Sequence, residues 1–211
     1  MTTAAPRIHP IEVESYSIMA SRVDFSSWPE PARSVVARMV HATADESFAS
    51  SALIGSLAVQ RAIGAIRSSA PVMCDSRMVV AGIPALGASG TVVCALDLID
   101  GEKSLAAPGP TADTRSAAAI REAARLHPRG ALWVVGNAPT ALAMLLDLHE
   151  AGLLEPEAVI AVPVGYVGAE HAKRRLWESA LGEVAITNSG ERGGSPVAAA
   201  AVNSILRLAA S

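Results

Sequence analysis

Between residues 32 and 40 the apolar side chains fall at Ala32, Val35, Val36, Met39 and Val40. That is the i, i+3, i+4, i+7, i+8 spacing of one buried helix stripe. Ser27 and Glu30 stand at capping-box spacing, and Pro29 and Pro31 suit a first turn, so the helix is predicted to begin there and to end with His41. At about 100° per residue, Ser34, Arg38 and His41 lie on the arc opposite the stripe. The Ala42-Thr43-Ala44-Asp45 break that follows offers a cap for another helix.

The same reading along the chain predicts a helix from Pro10 to Arg22, with Ile11, Ser15, Ile18 and Arg22 on one face. A helix from about Ser47 to Ile66 is predicted from the stripe Leu53, Ile54, Leu57, Ala58. From Pro71 the pattern changes to short continuous apolar runs, Pro71–Cys74, Gly90–Leu96, Ala131–Val135, Ala158–Val162 and Val184–Thr187. Between and after them lie helical stretches at Met78–Ala81 (capped by Asp75), Thr114–Leu126, Pro139–Glu150, Ala169–Ala180 and Pro196–Ala209. Apolar strands alternating with helices indicate a parallel sheet covered on both faces. The expected fold is therefore α/β and three-layered: a mostly parallel sheet of about five strands, helices on both faces, and a helical segment in front. Residues 1–211 are read as one domain, since no repeat or linker divides them.

Composition narrows the function. The chain is 51% hydrophobic but only 3% aromatic, so its core is built from small aliphatic side chains. A net charge of −3 gives no basic field for nucleic acid. No apolar run of membrane-spanning length and no signal-peptide layout is visible, and Cys74 and Cys94 are too isolated for a disulfide framework or a zinc site. The expected setting is the cytoplasm, with reduced thiols.

The strand ends carry the candidate chemistry, because ligands of such sheets bind outside the carboxyl ends of the strands. There the chain places Asp75-Ser76-Arg77, Gly136-Asn137-Ala138, Pro163-Val164-Gly165-Tyr166-Val167-Gly168 and Gly190 to Ser195. Turns of small residues at helix N-termini predict a backbone-lined anion site at Asn137 and at Gly193-Gly194. Dinucleotide and P-loop glycine motifs are absent, Ser89 lacks a nucleophile elbow, and no two histidines stand at metal-ligand spacing. His127 and His149 read as solvated helix ends, and Lys173-Arg174-Arg175 as a solvated helix face. That leaves His41, a group that titrates near neutrality, with Arg38 one turn behind it.

Taken together, Ile11-Glu12 with Ser15, Arg38-Met39-Val40-His41-Ala42-Thr43, Asp75-Ser76-Arg77-Met78-Val79, Ala81-Gly82-Ile83, Thr114-Arg115-Ser116, Gly136-Asn137-Ala138-Pro139-Thr140-Ala141-Leu142, Pro163-Val164-Gly165-Tyr166-Val167 and Gly193-Gly194-Ser195 resemble the precorrin-8X methylmutase family of cobalamin biosynthesis. The likeness runs from about residue 10 to 205. It departs at Ala44 (Gly expected), Tyr166 (Phe) and Arg192 (Lys). The resemblance implies an isomerase without cofactor or metal that moves a methyl group from C11 to C12 of a corrin precursor, giving hydrogenobyrinate. It assigns proton transfer to His41 and substrate contact to Ser15 and Arg38. Arg115 and Asn137 are the further candidates for the substrate's carboxylate arms. A homodimer is implied as well, the face bearing Ser34, Arg38 and His41 needing a cover. The alternatives are the cobalt-precorrin-8 methylmutase of the anaerobic branch and a non-catalytic tetrapyrrole carrier, which would not need His41.

Overall fold

The computed structural model describes residues 9–84, 91–99 and 114–211. In chain order the elements are α1 (Pro10–Arg22), α2 (Ala32–Thr43), α3 (Phe48–Ser51), β1 (Ala52–Ile54), α4 (Ala58–Arg67), β2 (Val72–Cys74), α5 (Arg77–Gly82) and β3 (Val92–Cys94). They continue with α6 (Arg115–Leu126), β4 (Leu132–Val135), α7 (Pro139–Glu150), β5 (Ala158–Ala161), α8 (Ala169–Glu178), β6 (Ala185–Asn188) and α9 (Ser195–Ala210). The strands form one sheet in the order β1-β6-β5-β4-β2-β3, parallel except that β1 runs against β6.

The strands are short apolar runs because both of their faces are covered. Val72, Cys74, Leu132, Val134, Ala158 and Ile160 pack on one side with α2, α4, α5 and α9. Met73, Trp133, Val135, Val159 and Ala161 pack on the other with α6, α7 and α8. Each fully buried Val, Leu or Ile contributes roughly 1.5–3 kcal/mol. Cys74 and Cys94 are free, buried and in register on neighbouring strands, and burial pushes both thiols up, away from reactivity.

Three local readings are corrected. The helix expected from Ser47 to Ile66 is broken by β1, an added edge strand. Gly55 ends it: its N–H donates to the Ala185 carbonyl, and a Cβ there would lie 2.1 Å from the Gly182 oxygen. The predicted capping box also fails. α2 starts at Ala32 without a side-chain cap, and Glu30 instead accepts from the Ser34 hydroxyl. The run predicted as a strand to Leu96 leaves the sheet after Cys94 and continues as a 3₁₀ turn over Ala95–Leu98, while Gly90 lies outside the described residues.

Candidate functional site

α2 presents its buried stripe, Val35, Val36, Met39 and Val40, to the core and turns Arg38 and His41 outward, as its spacing requires. What covers them is α1 of the same chain. The Tyr16 ring stacks on the His41 imidazole with centroids 4.6 Å apart and planes 4° from parallel. The Ser15 hydroxyl lies 3.1 Å from His41 Nδ1. Glu12, one turn earlier on α1, accepts from Arg38 Nη1 and from Arg207 Nη1 of α9 through the same Oε1, each at 2.9 Å. Burial, with Arg38 nearby, holds the His41 imidazole below its ordinary value of 6.5, while Glu12 pulls the other way. The hydrogen bond from Arg207, with Arg38 alongside, holds Glu12 below the usual carboxylate range. Ser15, Ile18, Met19, Val40 and His41 line a cavity of about 130 Å³ beside this cluster. A ligand meeting it would find one hydrogen-bonded imidazole and guanidinium groups a turn away. Among the described residues, no group of three His, Cys, Asp or Glu side chains stands ready to hold a metal.

A second group lies where the strand order reverses, between β2 and β4. There Asp75 follows β2, and its carboxylate accepts from the N–H groups of Gly136 (3.0 Å), Asn137 (2.8 Å) and Ala138 (2.9 Å) ahead of α7. Asp75 is buried, and that burial pushes its carboxyl up against the pull of the three N–H groups. The backbone anion site expected at Asn137 is therefore filled by the chain itself. Asp75 also does not cap α5, a role taken by Ser76, whose hydroxyl accepts from the Val79 N–H. In the second expected turn the Gly194 N–H is taken, donating to the Val162 carbonyl. What Asn137 retains is an exposed side chain. Arg115 is exposed at the start of α6, and its neighbour Thr114 donates to Thr140 of α7 at 2.7 Å. The chain thus brings Ser15, Arg38 and His41 together and sets Arg115 and Asn137 apart from them as a separate group at the carboxyl end of the sheet.

The family model for precorrin-8X methylmutase matches residues 10–208, almost the whole chain. The chain belongs to the precorrin-8X methylmutase family. It is 34% identical over 196 residues to the precorrin-8X methylmutase of Sinorhizobium, covering 92% of this chain and 91% of that one. To the cobalt-precorrin-8 methylmutase of Methanothermobacter thermautotrophicus it is 36% identical over 185 residues, covering 88% and 84%. The fold agrees with a crystal structure of the precorrin-8X methylmutase from Thermus thermophilus at a TM-score of 0.78, with 32% identity and 95% of each chain covered.

Within this methylmutase framework the departures acquire physical meaning. Ala44, where glycine was expected, adopts φ 52° and ψ 24° in the left-handed region that a glycine enters freely. The turn after His41 is thus made by an alanine in a left-handed conformation. It is braced by Asp45, which pairs with Arg192 and accepts from the Ser47 N–H and hydroxyl. Tyr166 projects from its loop with 94% of its surface exposed.

Sequence reasoning misses several members of the cluster around His41. Neither Tyr16 nor Arg207 is singled out by the sequence, and Glu12 enters only within the Ile11-Glu12 stretch of the family resemblance. Their signal was present: Glu12, Ser15 and Tyr16 recur at i, i+3, i+4 and so share one helix face. Lys173 is a correction of another kind. It is buried rather than solvated, donating to the Arg192 carbonyl at 2.6 Å and to Asn188 Oδ1 at 3.2 Å. Burial pulls its ammonium from 10.5 down to about 8. Its neighbour Arg175 pairs with Asp147 and Glu150. His149 too is half-buried, with Nδ1 2.9 Å from the Leu154 carbonyl oxygen. Ser89 lies outside the described residues.

Proposed function

We propose that this protein is an isomerase of cobalamin biosynthesis that moves a methyl group from C11 to C12 of precorrin-8X, giving hydrogenobyrinate. The reading has it act in the cytoplasm, through one domain spanning residues 1–211 and without a cofactor. The observation that carries it is the family match over residues 10–208 combined with His41 stacked on Tyr16, hydrogen-bonded to Ser15 and lining a cavity. His41 delivers a proton to the macrocycle as the methyl group migrates and recovers it when the π-system is restored. The reaction is an isomerisation, so the histidine ends in its starting state and no co-reactant is consumed. A lowered pKa makes the imidazolium a stronger acid for the first step and, in the same measure, the neutral ring a weaker base for the second. Ser15 fixes the orientation of the ring, and Arg38 takes a carboxylate arm of the substrate. Arg115 and Asn137 engage further arms at the carboxyl end of the sheet.

The test is a single-turnover absorbance assay of His41→Ala paired with a titration of hydrogenobyrinate. Turnover is expected to fall roughly 10²–10⁴-fold, with binding reduced far less. Undiminished turnover would refute the catalytic role. Intact binding without turnover in the unmodified protein would favour a carrier.

The active unit of this reading is a homodimer, though not because the Arg38–His41 face lies open, since α1 covers it. What stands exposed on α1 are the apolar side chains of Ile11, Val13 and Ile18, exposed by 69%, 56% and 47%. Sedimentation at micromolar concentration is expected to give twice the chain mass, and a fully active monomer would overturn the dimer.

A further inference from the structure

Behind the His41 cluster three arginines converge on a second cavity. Arg33 and Arg38 of α2 and Arg207 of α9, together with Tyr16, Ser34 and Ser204, line a space of about 460 Å³. Their donors are only partly used. Arg38 and Arg207 each give one Nη1 hydrogen to the same oxygen of Glu12, and Arg33 gives its Nε hydrogen to the Trp28 carbonyl. Among the described residues both terminal nitrogens of Arg33 and the Nη2 groups of Arg38 and Arg207 have no protein acceptor, apart from a long Arg38–Tyr16 contact through Nη1. Arg38 Nε is buried with no partner at all. Glu12, Glu30 and Asp24 are the carboxylates at hand: Glu30 accepts from Ser34, and Asp24 stands near Arg33. The three carboxylates balance the three guanidinium groups in charge, so what the site offers is unused fork-shaped donors in a partly enclosed space, which suit a planar anion.

We infer that this cavity is a carboxylate subsite in which Arg33 and Arg207, with the unused edge of Arg38, hold one acidic side arm of the tetrapyrrole. The inference rests on the tetrapyrrole reading above and adds Arg33 and Arg207 to the groups that position substrate. While α1 is docked, Glu12 keeps Arg38 and Arg207 together on one oxygen, so the docked form presents the site ready-made. The competing account makes Arg207 a strut that only fastens α1 through Glu12. A strut serves a charged and an uncharged ligand equally, whereas a subsite distinguishes them.

The experiment titrates unmodified protein, Arg207→Gln and Arg33→Gln with hydrogenobyrinate and with the same ring after its carboxylates are converted to primary amides. Thermal melts confirm the fold of each variant. Each variant is expected to bind hydrogenobyrinate about 10- to 100-fold more weakly, in keeping with the loss of a charge-assisted contact. Affinity for the amide is expected to stay within about twofold of the unmodified protein. In turnover the loss appears in KM more than in kcat. Equal losses for both ligands make Arg207 a strut and overturn the subsite, as does unchanged affinity for the acid. Arg33 is exposed and contacts the protein through one hydrogen bond, so Arg33→Gln carries the test if Arg207→Gln fails to fold. Unmodified protein that binds neither ring overturns the tetrapyrrole reading itself. Turnover by the unmodified protein with indifferent variants overturns the subsite alone.

Discussion

Asp75→Asn changes one atom's chemistry at almost constant volume, so it isolates what the carboxylate does at the start of α7. Oδ2 serves two N–H groups and Oδ1 serves one. The best placement of the amide keeps its oxygen towards Asn137 and Ala138 and turns its NH₂ onto the Gly136 N–H, donor against donor. The orphaned buried donor costs about 1–3 kcal/mol, and the two surviving bonds each lose about 1 kcal/mol on passing from charged to neutral acceptor. Removing a desolvated charge returns part of this, since burial already disfavours the ionised carboxyl. A net destabilisation of about 2–4 kcal/mol remains, or roughly 4–16 °C in Tm for a chain of this size. Circular dichroism melts at pH 7, with urea titrations to confirm that the unfolding slope is unchanged, read the effect directly. A variant melting within about 2 °C of the unmodified protein, or above it, would show that the three N–H groups are not satisfied by Asp75 and are free for an external anion.

Lys173 carries a pH signature. Its pKa is about 8 in the folded chain and about 10.5 unfolded, so between those values the unfolded state holds more protons and folding stability rises with pH. Urea unfolding at pH 8 and pH 10 is expected to show that rise in the unmodified protein relative to Lys173→Met, and parallel pH profiles would contradict it. At Gly193 the backbone has φ +156°, and a Cβ would lie 2.1 Å from the Val162 carbonyl oxygen. Gly193→Ala is expected to cost about 2 kcal/mol or more and to lower Tm by at least about 5 °C; an unchanged melt would count against the tight approach of these two loops.

The parts legible in the sequence are those governed by local periodicity. Strands β4, β5 and β6 fall within one residue of the apolar runs at either end, and α7 runs from Pro139 to Glu150 as its proline start predicts. β1 was not legible. Ala52–Ile54 is three residues long, continues the helical pattern of its neighbours, and becomes a strand only because β6 offers it an antiparallel edge 136 positions on, at Asn188. Asp75 looked like a local cap because its three donors lie more than 60 positions away. Lys173 was readable and misread. It continues the stripe Ala169, Ala172, Leu176 at i+4 from Ala169, yet the two arginines beside it suggested solvent. In the site, the outward placement of Arg38 and His41 followed from helix phase alone. Their cover, α1, did not, since its match to α2 is made of polar side chains that carry no hydrophobic period.

α1 has no fully buried residue, and a helix of 13 residues is marginal by itself in water. Its attachment consists largely of the Glu12 ion pairs, the Tyr16 stack and the Ser15 hydrogen bond, beside a partly buried Met19. The helix can therefore detach by a local opening far smaller in free energy than global unfolding, while the sheet and its two hydrophobic layers stay intact. Amide exchange in α1 then reports a private equilibrium, faster than in β4 or α9 and steepening with ionic strength as the ion pairs are screened. The histidine's surroundings are thus complete only for the fraction of time that this helix is docked. A ligand that touches both α1 and α2 must supply the free energy of closing it, so affinity and the docking of α1 become one linked process.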